Sequence, residues 1–446
     1  QDSAAIWTAV RECVDEVLES AGSPALAGIG ISNQRESGVA WDAATSQPVG
    51  PAVTWQCRRS AGICERLRGA GHASEIQERT GLPLDPGFTA GKWRWLLDDS
   101  TDGAARAAKG QIHLGTVDSW VLWNLTGGAV HATDASNASR TQLMDLGTVA
   151  WDPWLAEVFG IPLAALPEIR PSSADYGVTV ALGKLPAGVP VGSLVGDSHA
   201  ALFGHAGFEP GAIKATYGTG SSLMMPTPTM LRSDTGLAAT VAWGLDTTTY
   251  ALEGNINVTG AAVQWAAGFL GLTGSADVAT MAADVDSNEG VYLVPAFTGL
   301  GAPHWDDQAR GLLSGLTRGT TSSHLARAAI ESVAYQVHDV FEAMQSSAGG
   351  ALSVLMVDGG PTRNEQLMRF QADILGVPVQ RNDTAELSAM GAAYLAGLAT
   401  GVWTSTDAIA ALPRSIKRFE PTMGTAERSQ LVAGWQDAVA RTTLHP

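Results

Sequence analysis

The chain has 446 residues, 45% of them hydrophobic, and sets 44 Asp and Glu against 27 Lys and Arg for a formal net charge of −17. A length beyond the roughly 250–300 residues at which single cores stop growing predicts two domains; the negative balance repels a phosphate backbone or an anionic leaflet, so nucleic acid and membrane surfaces are excluded as expected partners. Cys13, Cys57 and Cys64 form no Cys-x-x-Cys pair and have no histidine at ligand spacing, which argues against a disulfide framework or a zinc site. No apolar run reaches the ~18 residues of a membrane span and the opening residues lack a signal-peptide profile, so a cytoplasmic protein is expected.

In chain order, Asp2 or Ser3 caps an amphipathic helix carrying Ile6, Trp7, Val10, Val14, Val17 and Leu18. Apolar runs at 27–32, 38–41 and 51–55, separated by polar or Pro/Gly turns, predict three strands. Helical patterns follow at 62–68, 91–97 and 116–125, and a loop-rich stretch over 137–185 gives way to a buried strand at 190–195. The domain boundary is placed there, dividing the chain into 1–190 and 191–446. Strands at 211–216 and 221–225 flank a tight Gly218-Thr219-Gly220 turn, and 291–295 and 354–358 are further buried strands. The longest helix runs over 322–346, where Leu325, Ala329, Ile330, Val333, Val337, Val340, Phe341 and Met344 keep the period of ~3.6. A small-residue helix at 389–398 suits close packing against a sheet. The absence of short-period repeats and low-complexity tracts excludes a solenoid or a disordered interaction protein.

Candidate chemistry lies between these elements. In the Gly218-Thr219-Gly220 turn, glycines permit positive φ and bring backbone amides to an anionic oxygen, although most Gly-x-Gly turns between strands are plain hairpins. Val357-Asp-Gly-Gly360 ends a strand and Asn364 begins the next helix, an arrangement that offers amides and an amide side chain to a ligand, or serves only as a strand-to-helix turn. Asp197 follows the strand at 190–195, where a carboxylate points into the ligand crevice of an α/β sheet and could act as general base, or cap the helix beginning near Ser198. His199 reads as structural. In Asn33-Gln-Arg-Glu36, Arg35 and Glu36 could bind vicinal hydroxyls while the indole of Trp55 covers a carbon skeleton; a solvated surface ion pair is the competing reading.

Taken in order, these runs resemble the FGGY family of carbohydrate kinases. The resemblance covers nearly the whole chain and rests on Ile31-Ser-Asn-Gln-Arg-Glu36, Trp55-Gln-Cys-Arg-Arg59, Gly115-Thr-Val-Asp-Ser-Trp120, Asn137-Ala-Ser-Arg-Thr141, Tyr217-Gly-Thr-Gly220, Tyr250-Ala-Leu-Glu-Gly254, Val294-Pro-Ala-Phe-Thr-Gly-Leu-Gly-Ala-Pro303, Gly315-Leu-Thr-Arg-Gly319 and Met390-Gly-Ala-Ala-Tyr394. It is nearest to the members that phosphorylate glycerol. It implies an α/β fold of two ribonuclease-H-like domains of the actin, hexokinase and heat-shock ATPase type, with ATP, Mg2+ and a small polyol or sugar meeting in the interdomain cleft. A homo-oligomer is compatible with it. Asp197 then matches the catalytic base and a metal-facing carboxylate, and Arg35, Glu36 and Trp55 match polyol contacts. Thr219, Gly260, Gln264, Gly360 and Asn364 match nucleotide contacts, with Gly218 and Gly220 shaping the turn.

Departures from the family pattern set further expectations. Gly87, Ser198 and Ser222 stand where glycerol-phosphorylating members line the substrate with a Tyr, a Gln and a Phe, so a roomier pocket and a polyol or ketose of four or five carbons are expected, the alternative being that neighbouring loops refill the space and glycerol remains the substrate. The fructose bisphosphate loop of bacterial members lacks its arginine in the run from Lys184 to Pro190, so that regulation is not expected. The family opens with a strand–turn–strand bearing Asp-x-Gly-Thr and an Arg that contact phosphate and metal; the sequence is expected to be incomplete there, the alternative being a catalytically inactive paralogue. A nucleotide-switched binding protein of the same fold is disfavoured because it has no use for Arg35, Glu36 and Trp55.

Overall fold

The computed structural model describes residues 1–209, 211–232, 235–350 and 352–444. Its first helix, Ser3–Ser20, starts where the Asp2 carboxylate accepts from the amides of Ala4 and Ala5. Ile6, Trp7, Val10, Val14 and Leu18 pack with Val117, Val121 and Leu125 of the helix Val117–Leu125. Val17, counted in the same stripe from the sequence, faces outward at 64% exposure.

The strand Ile29–Asn33 pairs in parallel with Val191–Gly196, and Val39–Asp42 pairs antiparallel with Ile112–Gly115. All six residues of Val191–Gly196 are buried. The strand expected to open the second domain therefore has its hydrogen-bond partner in the first half. The run at 51–55 does not form a strand. Only Val53 bridges, to Gly38, because Pro51 cannot donate to a ladder and Trp55 already enters a turn.

In the second half, seven strands form one sheet in the order Ala238–Gly244, Thr248–Ile256, Ser221–Thr227, Ala212–Tyr217, Val354–Asp358, Val379–Asn382, Ile416–Phe419. Alternation assigns its two faces. Leu223, Leu355 and Val357 join Ile330, Val333, Val337 and Phe341 of the helix Ser322–Ala348, while Met224 and Met356 turn the other way, toward Leu202, Phe203 and Leu395. Among the described residues no helix is long and apolar enough to cross a membrane.

The small-residue helix, Leu387–Ala399, packs on the helix Asp197–Gly204 and on both strands Ile29–Asn33 and Val191–Gly196. A Cβ on Gly391 would stand 1.8 Å from the Ala200 carbonyl, so only glycine lets these two helices approach this closely. Ser193 Oγ donates to the Ala392 carbonyl at 2.8 Å, which fixes the same helix against the first half's strands. This wedge holds the ends of Ile29–Asn33 and Val191–Gly196 beside the second half. Arg35 and Asp197 leave those ends together.

Candidate active site

A charged network joins the two halves at these strand ends. Asn33 and Asn137 exchange side-chain hydrogen bonds at 3.0 and 3.1 Å and anchor the exit of the first strand. Buried Arg35 then reaches the Asp197 carboxylate through Nε at 3.1 Å and the Glu253 carboxylate through Nη1 at 2.7 Å. Arg140, also buried, holds the other Glu253 oxygen at 2.8 Å and the Glu36 carboxylate at 2.8 Å. Burial pushes the Glu253 carboxyl up, but the two guanidiniums outweigh it and hold the group below the usual carboxylate range. For Arg35 burial opposes the charge, and the carboxylates of Glu253, Glu36 and Asp197 raise its affinity for the proton above the ordinary value. A solvated surface pair of Arg35 with Glu36 is not what forms: each is committed to a partner far along the chain.

Asp197 is the first residue of its helix, and its Oδ1 also accepts from the Ser198 amide at 2.6 Å. The side chain is 49% exposed, and the desolvation it does suffer raises its pKa against the lowering by Arg35. Behind it runs a directional chain. Fully buried Lys214 donates to Ser198 Oγ at 2.9 Å, Ser198 donates to Ser222 Oγ at 2.9 Å, and Ser222 donates to Glu253 at 3.0 Å. His199 is buried, lies 3.3 Å from Thr240 Oγ1 and is held neutral by burial, as a structural residue. Trp55 projects its indole at 51% exposure, with its amide donating to Ser37 Oγ. Gly87 lies in the turn ahead of the helix Thr89–Asp99, its amide donating to Asp85 Oδ1 at 2.7 Å.

The turn at 218–220 differs from expectation in its backbone. Neither Gly218 nor Gly220 has positive φ. A Cβ on Gly220 would stand 2.4 Å from the Ile256 carbonyl, so close approach, not handedness, requires that glycine. The left-handed glycine is Gly359, at φ 96, where a Cβ would meet the Tyr217 carbonyl at 2.0 Å. The amides of Thr259, Gly260 and Ala261, at the start of the helix Gly260–Phe269, donate to the carbonyls of Thr219 and Gly218. Those donors are thus spent within the protein, while Thr219 is exposed. Gln264 lies on the same helix, exposed, with Ser275 donating to it at 3.4 Å. Gly360 opens a short helical turn, and Asn364 caps the helix Glu365–Leu375 by accepting from the Leu367 amide.

Among the described residues no three His, Cys, Asp or Glu side chains group as a metal site. Mg2+ takes one or two carboxylates, several waters and phosphate oxygens, and Asp197, which spends only Oδ1 on Arg35 and the Ser198 amide, fits that demand. Sequence reasoning gave Arg140, Glu253, Lys214 and Lys92 no role. For Glu253 the signal was a charge beside apolar residues, as at Ala251-Leu252-Glu253 within a largely buried strand; Arg140, in the polar run Ser136-Asn-Ala-Ser-Arg140, carried no such mark.

Two models of the FGGY family of carbohydrate kinases match the chain, the N-terminal domain over residues 1–204 and the C-terminal domain over residues 213–400. The chain is 47% identical to glycerol kinase 2 of Thermotoga maritima over 446 residues, covering 99% of this chain and 90% of that protein. It is 49% identical to the glycerol kinase of Deinococcus radiodurans, over 99% of this chain and 88% of the other. Among solved structures, Plasmodium falciparum glycerol kinase with ADP superposes with a TM-score of 0.95 at 31% identity, covering 100% of this chain and 90% of that one.

Proposed function

The chain belongs to the FGGY family of carbohydrate kinases and is an ATP-dependent kinase, and on that premise we propose that it phosphorylates a hydroxyl of glycerol or a closely related polyol in the cleft at Asp197. The observation that carries this reading is the half-exposed Asp197 carboxylate held 3.1 Å from buried Arg35, which Glu253 fixes from behind. Arg35 donates to substrate hydroxyls, Glu36 accepts from them, and the Trp55 indole covers the carbon chain. Asp197 takes the proton of the attacking hydroxyl as its oxygen bonds to the γ-phosphorus; the bond to the β-phosphate oxygen breaks and ADP leaves. Its raised pKa makes it a better proton acceptor than an ordinary carboxylate. Thr219, Gly218, Gly220, Gly260, Gln264, Gly360 and Asn364 are assigned to the nucleotide. Mg2+ held at Asp197 would neutralise phosphate charge.

A second reading of the substrate is favoured by Gly87, Ser198 and Ser222. The two hydroxyls already donate along the chain to Glu253 and keep lone pairs to accept from further substrate hydroxyls. A four- or five-carbon polyol or ketose would use them. An ADP-release assay with glycerol, erythritol, threitol, xylulose and ribulose tests both readings. Glycerol giving the highest kcat/KM defeats the larger substrate, and no polyol-dependent ADP release defeats the kinase assignment at Asp197.

A further inference from the structure

Lys92 is wholly buried in the helix Thr89–Asp99, and its ammonium serves two backbone carbonyls: Glu36, at 2.9 Å, and Gly87. These carbonyls belong to two separate loops. Glu36 sits in the left-handed region at φ 60, a conformation a side-chain-bearing residue keeps only when its surroundings fix it. Its carboxylate is held by Arg140 and its carbonyl by Lys92, so the residue is fixed at both ends. The guanidinium of Arg140 also lies 5.1 Å from the ring centre of Phe88, next to Gly87. Lys92, Gly87, Phe88, Arg140 and Glu36 thereby form a closed circuit around the substrate-facing loops. Burial lowers the Lys92 pKa to about 8 against the raising effect of Glu36, Cys57, Asp85 and Cys64, so the charge is kept where desolvation opposes it.

We propose that Lys92 is a positioning residue for the polyol, setting the separation between the loop that presents Arg35 and Glu36 and the Asp85–Phe88 turn opposite. This rests on the reading of Glu36 as a polyol contact. The test is steady-state kinetics of Lys92→Met, which keeps most of the apolar stem and removes the donors. The polyol KM rises about tenfold or more while kcat and the KM for ATP stay within about twofold, the pattern of lost ground-state binding. Lys92→Gln, with two N–H donors on a shorter arm, recovers part of the affinity and stands in if Lys92→Met does not fold. An unchanged polyol KM in a folded variant overturns the proposal. So do equal losses toward polyol and ATP, or failure of both variants to fold, each of which assigns Lys92 to stability alone. Glu36→Gln is run beside them. An unchanged polyol KM there defeats the substrate reading itself, whereas a raised KM in Glu36→Gln with none in Lys92→Met defeats only the role of Lys92.

Discussion

The two walls of the cleft are made of different material. On the wall proposed for the polyol, Arg35, Arg140, Glu253, Lys214 and Lys92 are buried charges bonded to one another, to hydroxyls or to loop carbonyls; on the wall proposed for the nucleotide, candidate contacts are glycines, backbone and exposed Thr219 and Gln264. An uncharged polyol offers only hydroxyls, so its recognition needs donors and acceptors fixed in advance, and low-dielectric burial fixes them. Backbone can approach a phosphate closely only where there is space, and glycine supplies it. The contrast predicts that side-chain changes on the first wall strike polyol binding and stability, while Cβ additions on the second strike ATP.

The largest effect belongs where the walls meet. Asp197→Asn lowers kcat about 10²- to 10⁴-fold, because the amide cannot take the proton, and leaves calorimetric ATP affinity near that of the parent. Turnover within a few-fold of the parent would remove Asp197 from the chemistry. Next, Glu253→Ala leaves two buried guanidiniums without their shared counter-charge and costs about 3–5 kcal/mol of stability, read from chemical denaturation. A loss below about 1 kcal/mol, the scale of a surface pair, would show that water screens the network.

On the other wall, Gly359→Ala must place a Cβ 2.0 Å from the Tyr217 carbonyl at φ 96. We expect ATP affinity to fall about tenfold with the polyol KM unchanged, since backbone strain of this kind costs about 1–3 kcal/mol. Gly218→Ala is the contrast. Its added Cβ meets nothing nearer than the Gly220 carbonyl at 3.3 Å, and a smaller effect follows. A greater ATP loss from Gly218→Ala than from Gly359→Ala would contradict the assignment of tightness to Gly359.

How far each wall was legible in the sequence follows from the same difference. Arg35, Glu36, Trp55 and Asp197 stand at strand ends or in turns, where charge and aromaticity break an apolar pattern, so composition marked them. Arg140, Glu253 and Lys92 act by bonds spanning 104, 31 and 56 residues, a pairing that local pattern does not contain. The Gly218-Thr219-Gly220 turn was placed correctly between its strands. Its backbone was not, because the sequence shows that a glycine is present but not whether handedness or a neighbouring carbonyl demands it. Likewise the run at 51–55 has strand composition, yet tertiary contacts leave it one bridge, at Val53. The strand Val191–Gly196 was found, and its partner, 162 residues earlier at Ile29↔Val191, lay beyond local inference.

The smallest expected effect separates charge from hydrogen bonding at Lys92. Its pKa, lowered by burial to about 8, means that the ammonium loses its proton between pH 7 and 9. The neutral amine still carries two N–H donors for the Glu36 and Gly87 carbonyls, but charge-assisted hydrogen bonds are roughly twice as strong as neutral ones, so the polyol KM rises only about two- to fivefold over that interval. Stability moves the opposite way. In the unfolded chain the lysine keeps its proton up to about 10.4, so between about 8 and 10.4 the unfolded state binds more protons and this group's contribution to stability rises with pH. A polyol KM that worsens while the denaturation midpoint holds or improves therefore distinguishes loss of the Lys92 charge from general alkaline unfolding, in which both deteriorate together. In Lys92→Met the pH dependence of the polyol KM over this interval should flatten. If the variant keeps the parent's slope, another group titrates there, and the charge on Lys92 has no part in holding the two loops.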